Sequence, residues 1–188
     1  MKQVSDHETS SLLNLAAQCL TVPGDFVEFG CYAGDTSILL ADLLSKSKKL
    51  WLYDSFEGLP AKTAADESVA GKNFTAGALA VTKREVKLRF LRSGLPVPII
   101  KKAWFSDLTP ADLPNQIAFA FLDGDLYQSI CDSLRLIEGK LSPASLVLVH
   151  DYNNPELPGV TRAVEEWLSR HPAYRLRQID TLAIITRS

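Results

Sequence analysis

The chain has 188 residues, 46% of them hydrophobic and 22% charged, which suits one globular domain with a sizeable core. Its 20 Lys and Arg against 22 Asp and Glu give a net charge of −2, so no bulk attraction to nucleic acid or to an anionic membrane is expected. Three cysteines (Cys19, Cys31, Cys131) without CxxC or Cys/His spacing argue against a disulfide framework or structural zinc, and no apolar run approaches the ~20 residues of a membrane span.

In chain order, "SSLLNLAAQCL" (10–20) predicts a leading helix within residues 1–24, preceded by "MKQVSDHETSS", which has no signal-peptide apolar region. The chain is therefore expected to be cytoplasmic. "DFVEFG" (25–30) predicts a strand that ends in glycine, and "DTSILLADLLSKS" (35–47) a helix with Ile38, Leu39 and Leu43 at helical spacing. "KLWLYDS" (49–55) predicts a second strand. The stretch 56–90 is polar and weakly patterned, as expected of a lid-like insertion. "VPIIKKAW" (97–104) and "IAFAFLDGD" (117–125) predict the third and fourth strands. "YQSICDSLRLIEGKL" (127–141) places Ile130, Leu134 and Ile137 on one helical face, and Asp125 is expected to cap that helix. "SLVLVHDY" (145–152) predicts a fifth strand and "GVTRAVEEWLSRHP" (159–172) a helix stopped by Pro172. Two short strands, 174–180 and 182–188, read as a terminal hairpin. Cys19, Cys131, Trp51 and Trp167 lie in apolar patterns and are expected in the core.

Strands that alternate with helices predict an α/β fold with a mostly parallel, doubly wound sheet in a single domain, 1–188. In such sheets ligands bind beyond the carboxyl ends of the strands. Here those ends carry Glu28 and Gly30, then Asp54, then Trp104 to Asp107, then Asp123 and Asp125, then His150 and Asp151. Gly30 permits a tight strand-to-helix turn, and Gly34 a close backbone approach. Tyr32 stands where a dinucleotide fingerprint would have its middle glycine, so a pyrophosphate-containing cofactor fits poorly. Asp54, 26 residues after Glu28, is placed to accept hydrogen bonds from the hydroxyls of an adenosine ribose. Asp123 and Asp151 end strands expected to be neighbours, ~4.8 Å apart, so both carboxylates can reach one cation.

Glu28, Gly30 and Gly34 followed by Asp54 resemble the first motifs of class I S-adenosylmethionine (SAM) methyltransferases. With "DSFEGLP" (54–60), "FLDGDLYQS" (121–129) and "VHDYNNPELPGVTRAVEEW" (149–167), the chain from about residue 22 onward resembles the macrocin O-methyltransferase family, which methylates sugar hydroxyls of natural products. The resemblance implies a Rossmann-like seven-stranded sheet with the last strand antiparallel. It implies SAM held by Glu28, Gly30, Tyr32, Gly34, Asp54, Ser55 and Asp123, with Phe105, Ser106 and Asp107 near the adenine. It further implies Mg²⁺ (or Mn²⁺) held by Asp123 and Asp151 with His150 at its edge, and a small hydroxylated acceptor, a sugar before a phenol.

Relatives often have an acid where this chain has His150, which leaves that residue as a metal ligand, a base or a structural group. Either His150 or Asp123 is expected to remove the hydroxyl proton. Tyr127 and Tyr152 are further candidates for the acceptor pocket, with aromatic packing the alternative. Many relatives also carry N-terminal segments that help to build the substrate pocket or a dimer, whereas this chain starts almost at the fold. A homodimer is left open. Two other functions compete: a SAM-binding scaffold or sensor without chemistry, and a metal hydrolase using Asp123, Asp125, His150 and Asp151. The paired acids oppose the first, and the second gives Glu28 and Asp54 no role.

Overall fold

A computed structural model describes residues 4–44 and 48–188. Helix α1 spans Asp6–Gln18 and β1 Asp25–Phe29; α2 is Asp35–Leu44 and β2 Leu50–Asp54. Helix α3, Lys83–Arg92, precedes β3 (Ile99–Lys102) and β4 (Ile117–Leu122). Then follow α4 (Tyr127–Ile137), β5 (Leu141–Val149), α5 (Pro158–Arg170), β6 (Tyr174–Ile179) and β7 (Leu182–Arg187). The last part of the helix expected over 35–47 lies outside the described residues.

The seven strands form one sheet in the order β3-β2-β1-β4-β5-β7-β6. The pairs among β1 to β5 are parallel, and β7 is antiparallel to both its neighbours, so the terminal hairpin inserts its second strand beside β5. Strand pleating sends alternate side chains to opposite faces. On one face Phe26, Leu52, Phe121 and Leu148 meet α1, α2 and α3. On the other, Val27, Phe29, Leu122 and Val149 meet α4 and α5 through Ile130, Leu134, Val160 and Trp167. Truncating a fully buried residue such as Leu134 to alanine is expected to cost ~2–5 kcal/mol.

Three expectations change. Helix α3 lies inside the stretch read as irregular. Of its four apolar residues Val86 and Phe90 are fully buried and Leu88 and Leu91 exposed, and Thr82 and Glu85 form a capping box, so two contacts and a cap suffice where charge masks the period. Strand β5 begins four residues earlier than expected, at Leu141, despite Pro143. Asp125 does not cap α4: Leu126 holds the cap position without a side-chain bond, and the acceptor for Tyr127 N–H is Oδ1 of Asp66, at 2.6 Å. Of the apolar-pattern residues, Cys19 and Trp167 are buried, whereas Cys131 and Trp51 are half-buried.

Candidate active site

The site lies where β1, β2, β4 and β5 end. The sheet register sets Leu122 beside both Phe29 and Val149, so the residues that follow them, Gly30, Asp123 and His150, arrive side by side. Gly30 has φ +84°, and a Cβ there would collide with the Asp123 carbonyl, so the first turn can pass the fourth strand only without a side chain. Each of the four loops after these strands also holds a non-glycine residue in left-handed backbone: Tyr32 (φ 41°), Phe56 (53°), Asp125 (58°) and Asp151 (60°). Sparsely populated backbone of this kind gathers at binding and catalytic sites.

A cleft opens here, lined by residues from the loops that follow these strands. Of the residues expected to contact a cofactor, Gly30, Tyr32, Asp54, Ser55, Phe105 and Asp123 line it together. Four others stand apart. Glu28 is fully buried beneath the turn, Gly34 packs against Val86, and Ser106 and Asp107 are exposed beyond the cleft wall. In their place Trp104 flanks Phe105, whose ring meets Phe29 edge-on at 5.2 Å. Leu59, Pro60 and Leu79 supply an apolar wall that the expected residues omit. The "EGLP" of the 54–60 motif was its available signal.

The carboxylates of the site differ in what they hold. Asp54 Oδ2 accepts from the backbone N–H of Cys31 (3.0 Å) and Tyr32 (3.1 Å), and Oδ1 from Phe56 N–H (2.7 Å). It therefore fixes the glycine turn while lining the cleft. The Ser55 hydroxyl donates to Gly58 O (2.9 Å) and accepts from Glu57 N–H, so it shapes its own turn. Glu28 accepts from Ser37 Oγ at 2.5 Å through Oε2, while Oε1 is buried without a partner. Burial pushes its carboxyl up to about 8, eased by the Ser37 bond.

Asp123, His150 and Asp151 form a compact cluster whose potential ligand atoms all lie within 4.8 Å of one another. His150 Nδ1 stands 2.9 Å from Asp123 Oδ1 and 3.1 Å from Asp151 Oδ2. Burial alone would lower the imidazole pKa, but the two carboxylates beside it raise it to about 11. Asp151 also accepts from Asn154 Nδ2 at 2.7 Å. Asp125 lines the cleft and accepts no hydrogen bond from any described residue. Burial, then Asp123 and Asp151, raise its pKa well above the ordinary carboxylate range. The two tyrosines face elsewhere: Tyr127 donates to Glu166 (2.7 Å), and buried Tyr152 packs in the core.

The strand order, the antiparallel seventh strand and a cleft over β1 and β4 define the class I SAM methyltransferase fold. The solved structure of the O-methyltransferase NovP superposes with a TM-score of 0.77 at 29% identity, covering 93% of this chain and 78% of that one. A calicheamicin methyltransferase, CalS11, shares the fold with a TM-score of 0.76 at 23% identity over 97% of this chain and 80% of its own. A family model described as macrocin O-methyltransferase (TylF) matches residues 10–188, and the chain belongs to that family.

Among curated relatives, a tetracenomycin-C 4′-O-methyltransferase from Streptomyces olivaceus that acts on a dimethoxy-rhamnosyl form is 35% identical over 141 residues, covering 70% of this chain and 54% of the relative. A demethyldecarbamoylnovobiocin O-methyltransferase from Streptomyces niveus is 31% identical over 79% of this chain and 60% of its own. The chain thus spans little more than half the length of the curated relatives it matches.

Proposed function

We propose that this chain transfers a methyl group from SAM to a hydroxyl of a glycosylated small molecule, with a divalent cation at the acid cluster. The observation that carries this is that Asp123 belongs to both halves of the site. Its carbonyl abuts the Gly30 turn of the cleft, and its carboxylate joins His150 and Asp151. A donor in the cleft and an acceptor at the cluster would therefore meet across one residue.

SAM, when bound, supplies an activated methyl on a positively charged sulfur. Asp54 and Asp123 give the cleft the acidic lining such a donor needs, and Phe105 and Leu59 give it apolar walls. Asp54 is the group for the ribose hydroxyls, its carboxylate already oriented by three backbone N–H groups.

The donor set of the cluster, two carboxylates and one nitrogen within reach of one another, fits a divalent cation held by Asp123, Asp151 and His150. Such a cation, when bound, favours ionisation of the acceptor hydroxyl. His150 must then give up its Nδ1 proton, because a ligating nitrogen must be neutral.

For proton removal from the acceptor we assign Asp125 in place of Asp123 or His150. Those two hold each other, whereas the Asp125 carboxylate faces the cleft free of hydrogen bonds. Family relatives that act on rhamnosyl and novobiocin-type compounds favour a glycosylated acceptor.

Incubation with methyl-labelled SAM, Mg²⁺ and a panel of deoxysugar-bearing natural products tests the proposal by mass spectrometry. One added methyl on a sugar oxygen is the expected result. Binding of SAM without transfer to any member, with or without metal, would leave the site a binder and overturn it.

A further inference from the structure

The segment between β2 and α3 holds a buried carboxylate that reaches two helices. Asp66, from the lid-like stretch, is 1% exposed. Its Oδ2 accepts from Thr63 N–H (2.9 Å) and Thr63 Oγ (2.8 Å), closing a capping box on its own short turn. Its Oδ1 accepts from the backbone N–H of Tyr127, the first residue of α4, at 2.6 Å. The same Oδ1 lies against Gly159, the second residue of α5, so closely that a Cβ at that position would collide with it.

Neither helix has a side-chain cap of its own: the cap positions are Leu126 and Leu157. A helix start presents unpaired N–H groups and a partial positive charge, which a buried carboxylate complements. Asp66 therefore stands at the starts of two helices at once, 61 residues away in sequence from the nearer one.

These are the helices that follow the two acid-bearing loops. Asp123 and Asp125 lead directly into α4, and His150 and Asp151 lead through 152–157 into α5. The segment carrying Asp66 also supplies Leu59, Pro60 and Leu79 to the cleft wall. At its base, Leu59 N–H donates to Ala78 O (2.8 Å) and Gly77 N–H to Leu59 O (2.9 Å). Farther out, Ser68 Oγ donates to Pro155 O (2.6 Å), and Gly71 lies against the Glu156 carbonyl.

We propose that Asp66 is a positioning residue of the site, a latch that fixes the cleft wall of segment 57–82 to the helix starts carrying the acid loops. The segment is then a wall held in place, and donor pocket and acid cluster keep their spacing through one carboxylate. The inference deepens the function proposed above and rests on it for the identity of the cleft's ligand.

The test uses the intact chain and two readouts. Calorimetric titration with S-adenosylhomocysteine (SAH), the demethylated product, measures the pocket. Limited trypsin cleavage after Lys62, whose Nζ is tied to Gly71 O at 2.5 Å, measures attachment of the segment. For Asp66→Ala at a temperature well below its melting point, SAH affinity should fall about tenfold and cleavage after Lys62 should accelerate about tenfold. Asp66→Asn, which keeps one acceptor oxygen, should recover part of both.

Wild-type SAH affinity in folded Asp66→Ala would overturn the proposal, because a purely structural residue would change melting and leave the pocket alone. If Asp66→Ala does not fold, Thr63→Val removes one donor to the carboxylate. It should shift both readouts in the same direction by less, and no shift would overturn the latch. If the wild type binds no SAH, the proposed function fails by itself, and cleavage after Lys62 alone decides the latch.

Discussion

The two halves of the site use carboxylates in opposite ways. On the β1–β2 side, Asp54 takes three backbone N–H groups and so holds the turn that shapes the cleft. On the β4–β5 side, Asp123 and Asp151 share one histidine, and the Asp125 carboxylate accepts no hydrogen bond from the described residues. The first half is built before any ligand arrives. In the second, three carboxyl groups are held close around a single histidine, which favours an arriving cation or proton. Substitutions should therefore separate: those on the first side should change shape and affinity together, and those on the second turnover.

The largest effect is expected for Asp123→Asn, which removes a cluster oxygen and the His150 partner. Turnover should fall by ~10³-fold or more with the fold intact by circular dichroism. Asp125→Asn should lower kcat by ~10²-fold while SAH affinity stays close to wild type, because only proton removal is lost. If Asp125→Asn instead weakens SAH binding and spares kcat, the contrast between the halves is lost. Asp54→Ala should do what neither of these does. It strands three backbone donors, so the melting temperature should drop by ~4–8 °C together with SAH affinity.

The smallest effect is expected at Glu8. Glu8 accepts from Ser5 at the start of α1 and from Thr181 in the β6–β7 turn, and these bonds, working against its burial, lower its carboxyl to about 2. A depressed carboxylate stabilises the fold above its ordinary value near 4.5, and that contribution disappears as the pH falls toward 2. Glu8→Gln should cost about 1 kcal/mol at neutral pH. Its unfolding free energy should also depend less steeply on pH between 4.5 and 2 than that of the wild type.

The comparison also marks what could be read from the residues in order. The alternation of apolar strands and helices, and the acids at successive strand ends, are local patterns, and they led to the sheet and to Gly30, Asp54, Asp123, His150 and Asp151. Helix α3 is masked because six of its ten residues are charged and only Val86 and Phe90 of its four apolar residues are buried. The cap of α4 was misplaced for a different reason. Asp125 precedes the helix and is a good capping residue by type, but the helix start is satisfied from Asp66 across the fold, which no local pattern encodes. Trp104 and Phe105 line the cleft, whereas the next two residues of the same motif, Ser106 and Asp107, are exposed, a difference of side-chain direction that the motif does not encode. Glu28, expected among the cofactor-binding residues, lies under the turn with Ser37 and does not line the cleft.

The central claim is that the cleft over Gly30 and Asp54 receives SAM. Calorimetric titration of the purified chain with SAH, with Mg²⁺ present and with metal stripped, tests it most directly. The account predicts one site of micromolar affinity, about −8 kcal/mol, strongly weakened in Asp54→Ala. No binding in either metal condition would contradict it.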